Sequence, residues 1–230
     1  MPEEMAADQP LLIVSLMPRS LAEWVEARAR DFNLDSKFLF AETLEDLERT
    51  TSSGARLVLS FGTGVIVPAR ILDVPGMQAV NIHAASPEFP GRDPHHFAAY
   101  AGTRTYGATM HHMIRQVDAG PILMVELRHV VGEARPEVLL AMGNDCGKVL
   151  VERLFERLAA GKGIPDADPT LRWSGSTGTR RRFLELCRVN ASMDRAEIER
   201  RIRACSMPGH ANVHLDLHGY RFWHQPESPS

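Results

Sequence analysis

What most limits the folds open to this chain is the alternation of short apolar runs with helical patterns between residues 11 and 61. Leu11 to Leu16 reads LLIVSL, a continuous apolar run with β-branched residues at its centre, as a strand buried on both faces would have. Ser20 is placed to cap a helix running through Arg30, and Glu23 completes a capping box. Leu21, Trp24, Val25 and Ala29 fall on one face of that helix. Lys37 to Phe40 predicts a second strand, Thr43 to Arg49 a short helix, and Arg56 to Phe61 a third buried strand. Strand, helix, strand, helix, strand implies an α/β fold, with a parallel sheet covered by helices on both faces. Ligands of such sheets bind beyond the carboxyl ends of the strands. Phe61-Gly62-Thr63-Gly64 falls at one such end, and Asn81 and His83 at another.

Chemistry-bearing residues gather between Gln78 and Met124. Ala79, Val80 and Ile82 form an apolar run with Asn81 and His83 at alternate positions, so an amide and an imidazole face the same side of a strand. A Pro- and Gly-rich loop follows, and Asp118 lies in the turn-like QVDAGP between two apolar runs. Amide, imidazole and carboxylate can converge on proton transfer with oxyanion stabilisation. The plainer alternatives are strand-end hydrogen bonding for Asn81 and His83, and a backbone role for Asp118 in its turn. Gly62-Thr63-Gly64 is only G-x-G, after the third strand, and lacks the third Gly of a dinucleotide fingerprint. It reads either as a tight turn or as a place where a ligand meets bare backbone.

Further along, Asp93 or Pro94 opens a helix through Tyr100, with His95 and His96 in its first turn. Pro121 to Val131 gives one or two strands, and Pro136 to Ala160 a long amphipathic helix. Gly161 to Gly178 lacks periodicity and reads as a linker. Phe183 to Val189, a helix from Asp194 to Ala204 and a strand pair near Val213 and Arg221 close the chain. The domain expectation is therefore a main domain over 1–165, followed by a linker and a small helix and hairpin subdomain over 166–230. Ten histidines raise the question of a metal. However, His111 and His112 point to opposite faces of a strand, and no H-x-x-x-H sits on a convincing helix, so no metal site is expected. His210, His214 and His218 fall on the polar face of a period-two strand and are expected to be solvated.

Three widely spaced cysteines are expected to be reduced thiols in a cytoplasmic protein. The acidic N-terminus shows no signal pattern, and no apolar run reaches spanning length. A net charge of -3 argues against broad nucleic-acid binding. Arg180 to Arg182 and Arg200, Arg201 and Arg203 read as a solvated face with helix charge pairs, or as a dock for phosphate groups.

The order of these motifs resembles that of the formyltransferases that use 10-formyltetrahydrofolate. Asn81-Ile82-His83, the loop from Pro87 to Gly91, Gly107-Ala108-Thr109 and Asp118-Ala119-Gly120 follow one another as in that family. The match is clear from Arg56 to Leu123 and looser to the C-terminus. The resemblance implies a Rossmann-like, mostly parallel sheet of formyltransferase type with a small C-terminal α+β appendage. It also implies a folate site on Phe61, Gly62, Thr63, Gly64, Val65 and Ile66, largely through their main chain, with Gln116 and Val117 beside it. The chain departs from the commoner pattern after His83, where Ala84-Ala85-Ser86-Pro87 replaces an immediate Pro-Ser.

The resemblance gives three roles: Asn81 as oxyanion donor, His83 as base for the attacking amine, and Asp118 as the group that orients the imidazole. Thr109 is expected to be structural. The tail RIRACSMPGHANVHLDLHGYRF is similar to that of relatives acting on nucleotide-linked amino sugars, so the expected acceptor is the primary amine of such a molecule. Relatives that formylate initiator tRNA carry a further β-barrel domain, for which no room is expected here. The enzyme of purine synthesis opens with a Gly-rich loop where this chain has Ser15 to Arg19. Formylation of methionyl-tRNA, glycinamide ribonucleotide or a hydroxyornithine-type amine stands as an alternative, as do hydrolysis of the folate and a non-enzymatic folate or nucleotide-sugar sensor. No nucleic acid or membrane partner is expected, and the apolar tail hairpin offers a homodimer contact.

Overall fold

A computed structural model describes residues 10–174 and 176–225. Six strands form the main sheet: β1 (Leu11–Leu16), β2 (Ser36–Ala41), β3 (Leu57–Phe61), β4 (Gln78–His83), β5 (Thr105–His112) and β6 (Ile122–His129), in the order β2-β1-β3-β4-β5-β6. The pairs β1–β2, β1–β3 and β3–β4 are parallel, which makes the sheet mostly parallel, as its crossover helices require. A second sheet, β7-β8-β9, comprises β7 (Arg188–Val189), β8 (His214–Leu217) and β9 (Tyr220–Trp223). The helices are α1 (Arg19–Asp31), α2 (Leu44–Thr51), α3 (Ala69–Leu72), α4 (Pro94–Ala101), α5 (Pro136–Ala159), α6 (Arg180–Cys187) and α7 (Arg195–Cys205). Among the described residues no helix is long and apolar enough to cross a membrane.

The chain divides into two compact units. One holds residues up to Ile82 with 110–124 and 148–169, and the other holds 83–109, 125–147 and 170 onward. In the first, Val14 and Leu16 of β1 pack with Val58 of β3, Ala41, Leu47 and Ile71, all buried. Removing each of the larger side chains from water contributes about 1.5–3 kcal/mol. In the second, α6 and α7 share a core of Leu186, Cys187, Ala204, Cys205 and Val213, against which Phe97 and Tyr100 of α4 pack.

Helix starts follow the backbone more than the expected caps. α1 begins at Arg19 rather than after Ser20, and no side chain caps it. Pro18 fixes its own φ at -57°, and its carbonyl accepts from the amides of Leu21 and Ala22 at 3.0 Å each, which leaves Ser20 inside the first turn. For α2 the expected start at Thr43 becomes a true capping box. The Asp46 amide donates to Thr43 Oγ1 at 3.1 Å, and the Thr43 amide donates to Asp46 Oδ2 at 3.2 Å.

The tail corrects one expectation. His214 is 3% exposed, with its ring 5.1 Å from that of Trp223, so it is not solvated. Its neighbour Val213 is buried as well, which breaks the alternation on which the solvated reading rested. His210 and His218 are exposed. His218 and Gly219, at φ +50° and +85°, make the tight two-residue turn that a twisted hairpin prefers.

Candidate active site

Asn81 comes from the carboxyl end of β4, paired in register with Ser60 of β3. Its Nδ2 lies 3.1 Å from His111 Nε2 and 3.4 Å from Asp118 Oδ1. The same His111 Nε2 is 3.2 Å from Asp118 Oδ1. Three side chains from β4, β5 and the turn before β6 therefore meet within one compact unit. The His111 and Asp118 side chains are 3% and 6% exposed. Asp118 takes φ +46°, a left-handed backbone uncommon outside glycine; such conformations persist where the surroundings over-determine them and cluster at functional sites.

The proton arrangement follows from the partners. His111 Nδ1 sits 2.9 Å from the His112 carbonyl, which only accepts, so Nδ1 carries a hydrogen. In the neutral ring Nε2 then accepts from the Asn81 amide, and the buried carboxylate of Asp118 faces both. Its neighbour His112 is held below the ordinary imidazole range by burial, with a bond to the Ala79 backbone opposing the shift.

His83 belongs to the other compact unit. Its Nε2 is 2.8 Å from the Phe89 carbonyl and therefore donates there, which leaves Nδ1 as the acceptor atom of the neutral ring. The ring is 8% exposed for the residue as a whole and meets the indole of Trp173 edge-on, with centroids 5.9 Å apart and planes at 63°.

The loop after His83 is braced from several sides. The Ala85 amide donates to the His83 carbonyl at 2.8 Å, and buried Thr109 Oγ1 donates to the Ala85 carbonyl at 2.8 Å, a structural part for Thr109. At Gly143 of α5 a Cβ would lie 2.2 Å from the Ala84 carbonyl oxygen. The stretch read as a linker also reaches this loop: the Ser174 amide donates to Pro87 O at 3.0 Å, and the Gly178 amide to Pro90 O at 2.7 Å.

Of the residues assigned to the folate, Phe61 is buried, and Gly62 turns the chain at φ +65°. Gly62 and Gly64 are exposed, and a Cβ at Gly64 would meet nothing within 4 Å. Thr63 Oγ1 accepts from the Val65 amide at 3.1 Å, which sets the loop's shape. Ile66 is 66% and Val117 48% exposed, and Gln116 is exposed beside the latter. Small residues with bare backbone next to exposed apolar side chains suit a flat, hydrogen-bonding heterocycle.

Sequence reasoning gave no role to His111 or Trp173. For His111 a signal existed: opposite faces for His111 and His112 put one ring in the core, and a buried imidazole needs partners. For Trp173 none existed, because its contact with His83 depends on the path of an irregular stretch.

A family model described as formyl transferase matches residues 25–153. The chain is 29% identical over 184 residues to a methionyl-tRNA formyltransferase from Corynebacterium urealyticum, covering 79% of this chain and 55% of that relative. The chain thus spans just over half the length of that curated relative. Among solved structures it resembles a sugar N-formyltransferase from Shewanella sp FDAARGOS_354, with a TM-score of 0.75 at 16% identity over 96% of this chain and 98% of that one. It also resembles HypX from Aquifex aeolicus in complex with tetrahydrofolic acid, with a TM-score of 0.65 at 16% identity over 91% of this chain and 36% of that one.

Proposed function

We propose that this chain, which belongs to the formyl transferase family, moves a formyl group from 10-formyltetrahydrofolate to the primary amine of an amino sugar carried on a nucleotide. The observation that carries the reading is the junction of half-buried Asn81 with buried His111 and Asp118, the last in a left-handed backbone. When bound, the folate supplies the formyl group on its N10 nitrogen. Exposed Gly62, Gly64, Ile66, Gln116 and Val117 fit its pterin, and we assign its binding to the loop from Phe61 to Ile66 together with Gln116 and Val117.

Asn81 Nδ2 has two hydrogens. One points between His111 Nε2 and Asp118 Oδ1, which lie 3.2 Å apart, and the other is directed to the formyl oxygen as negative charge gathers there, a donation worth roughly 3 kcal/mol. His83 receives the proton of the attacking amine on Nδ1 while Nε2 stays on Phe89 O, a contribution of roughly two to four powers of ten. Asp118 keeps the Asn81 amide aimed and favours positive charge nearby.

The sugar acceptor is supported by the likeness to a sugar N-formyltransferase over nearly the whole of both chains. The sequence match to methionyl-tRNA formyltransferases supports methionyl-tRNA as the second reading. Leu217, Tyr220, Phe222 and Trp223 of the tail hairpin are 49% to 72% exposed, an apolar edge suited to pairing two copies.

The test mixes the protein and 10-formyltetrahydrofolate with nucleotide-linked amino sugars, methionyl-tRNA and simpler amines. Cofactor loss that depends on an amino sugar supports the reading. Loss that depends only on methionyl-tRNA moves the acceptor, loss without any amine means a hydrolase, and binding without turnover means a sensor.

A further inference from the structure

We propose that Trp173 is a positioning residue for His83, held over it by a strap anchored at Ser174 and Gly178, and that it keeps water away from the imidazole. The proposal rests on His83 being the base. Three backbone bonds anchor the strap to the loop that follows His83. They run from the Ser174 amide to Pro87 O at 3.0 Å, from the Gly178 amide to Pro90 O at 2.7 Å, and from the Arg92 amide to Gly178 O at 2.9 Å.

Gly91 and Gly178 form a parallel bridge. Neither tolerates a side chain: a Cβ on Gly91, which has φ +90°, would lie 2.4 Å from Gly178 O, and one on Gly178 would lie 2.3 Å from Arg92 O. Strap and loop are therefore locked backbone to backbone. Just before the first of these bonds, the half-buried Trp173 presents its ring to His83 at a centroid distance of 5.9 Å and an angle of 63°, an edge-to-face contact. The imidazole is thereby held on two sides, by the Phe89 carbonyl at Nε2 and by the indole.

This arrangement bears on which nucleophile the base serves. In transfer to an amine, the amine nitrogen bonds to the formyl carbon, one amine proton passes to His83, the bond from that carbon to N10 breaks, and His83 returns that proton to the departing N10. Water in the amine's place gives formate by the same exchange of bonds. An indole over the imidazole leaves less room for that water.

The contact is tested apart from activity in a Trp24→Phe/Trp223→Phe background, where Trp173 is the single indole of the chain. A ring packed against an indole sets the surroundings of that indole, so His83→Asn is expected to change Trp173 emission in intensity or wavelength. Unchanged emission overturns the proposal, and this arm needs no change at Trp173 itself.

Activity supplies the second arm. Trp173→Phe is expected to retain most amine formylation. Trp173→Ala is expected to lower kcat by roughly tenfold, the low end for a misplaced general base, and to raise formate released per amine formylated. Unaltered kcat and partition in Trp173→Ala overturn the proposal even if the contact is real. Wild-type turnover in His83→Asn removes the base reading, and the proposal with it, whatever the emission shows.

Discussion

Gly143→Ala sets two magnitudes of opposite sign against each other in the middle of α5. In a helix interior, Ala in place of Gly ordinarily stabilises by about 1 kcal/mol. Here the added Cβ would lie 2.2 Å from Ala84 O, 2.9 Å from its carbonyl carbon and 3.3 Å from Gly107 O. These atoms are backbone, so no rotamer change can relieve the overlap, and the helix or the Ala84 peptide must move. Overpacking of this kind costs about 1–3 kcal/mol. With the high end set against the propensity gain, the net is a loss of about 2 kcal/mol. For 230 residues that corresponds to a fall in Tm of roughly 4–8 °C, measured by calorimetry on the variant beside the parent. Because Ala84 directly follows His83, kcat should fall as well. A rise in Tm would refute the reasoning, since helix propensity would then outweigh a contact that the geometry forbids.

Asp118→Asn keeps an acceptor for Asn81 but loses the charge, so turnover should fall by roughly tenfold or more while the unfolding transition persists; wild-type kcat would remove Asp118 from the mechanism. Burial, helped by the neighbouring His96, pushes His95 down to about 4. Its ordinary value is about 6.5, so the unfolded chain takes up this proton first. Stability should be fully present above about pH 6.5 and decline toward pH 4, and His95→Gln should flatten that part of a denaturation profile. Thr43→Ala removes the cap on the Asp46 amide and should cost about 1 kcal/mol, read as a lower denaturant midpoint at unchanged slope.

The sheet was legible because its strands carry their own evidence. LLIVSL and the run from Arg56 to Phe61 are apolar but for Ser15, Arg56 and Ser60, and the structure buries the strand residues Leu57 to Phe61 completely. Asn81 and Asp118 were legible as a pair because each stands at the end of an apolar run, and the structure brings them within 3.4 Å. Which imidazole sits against them was not legible, because spacing along β4 favoured His83, whereas the ring bonded to Asn81 and near Asp118 is His111 of β5. Strand neighbours are set by sheet order, which no local pattern encodes. The burial of His214 was missed for a related reason: the strand begins at that residue, and the alternation used to place it does not extend upstream. The strap escaped notice because its hold on the loop is made by main-chain groups of Ser174 and Gly178, which leave no side-chain trace.

The bonds that tie Ser174 and Gly178 to residues 87–92 join segments nearly ninety positions apart. During synthesis, the stretch that carries His83 therefore leaves the ribosome well before the segment that clasps it, at about 5–20 residues per second. For those seconds the nascent chain holds the loop after His83 without the bonds that brace it. The fastening of that loop thus waits until residue 178 has been made.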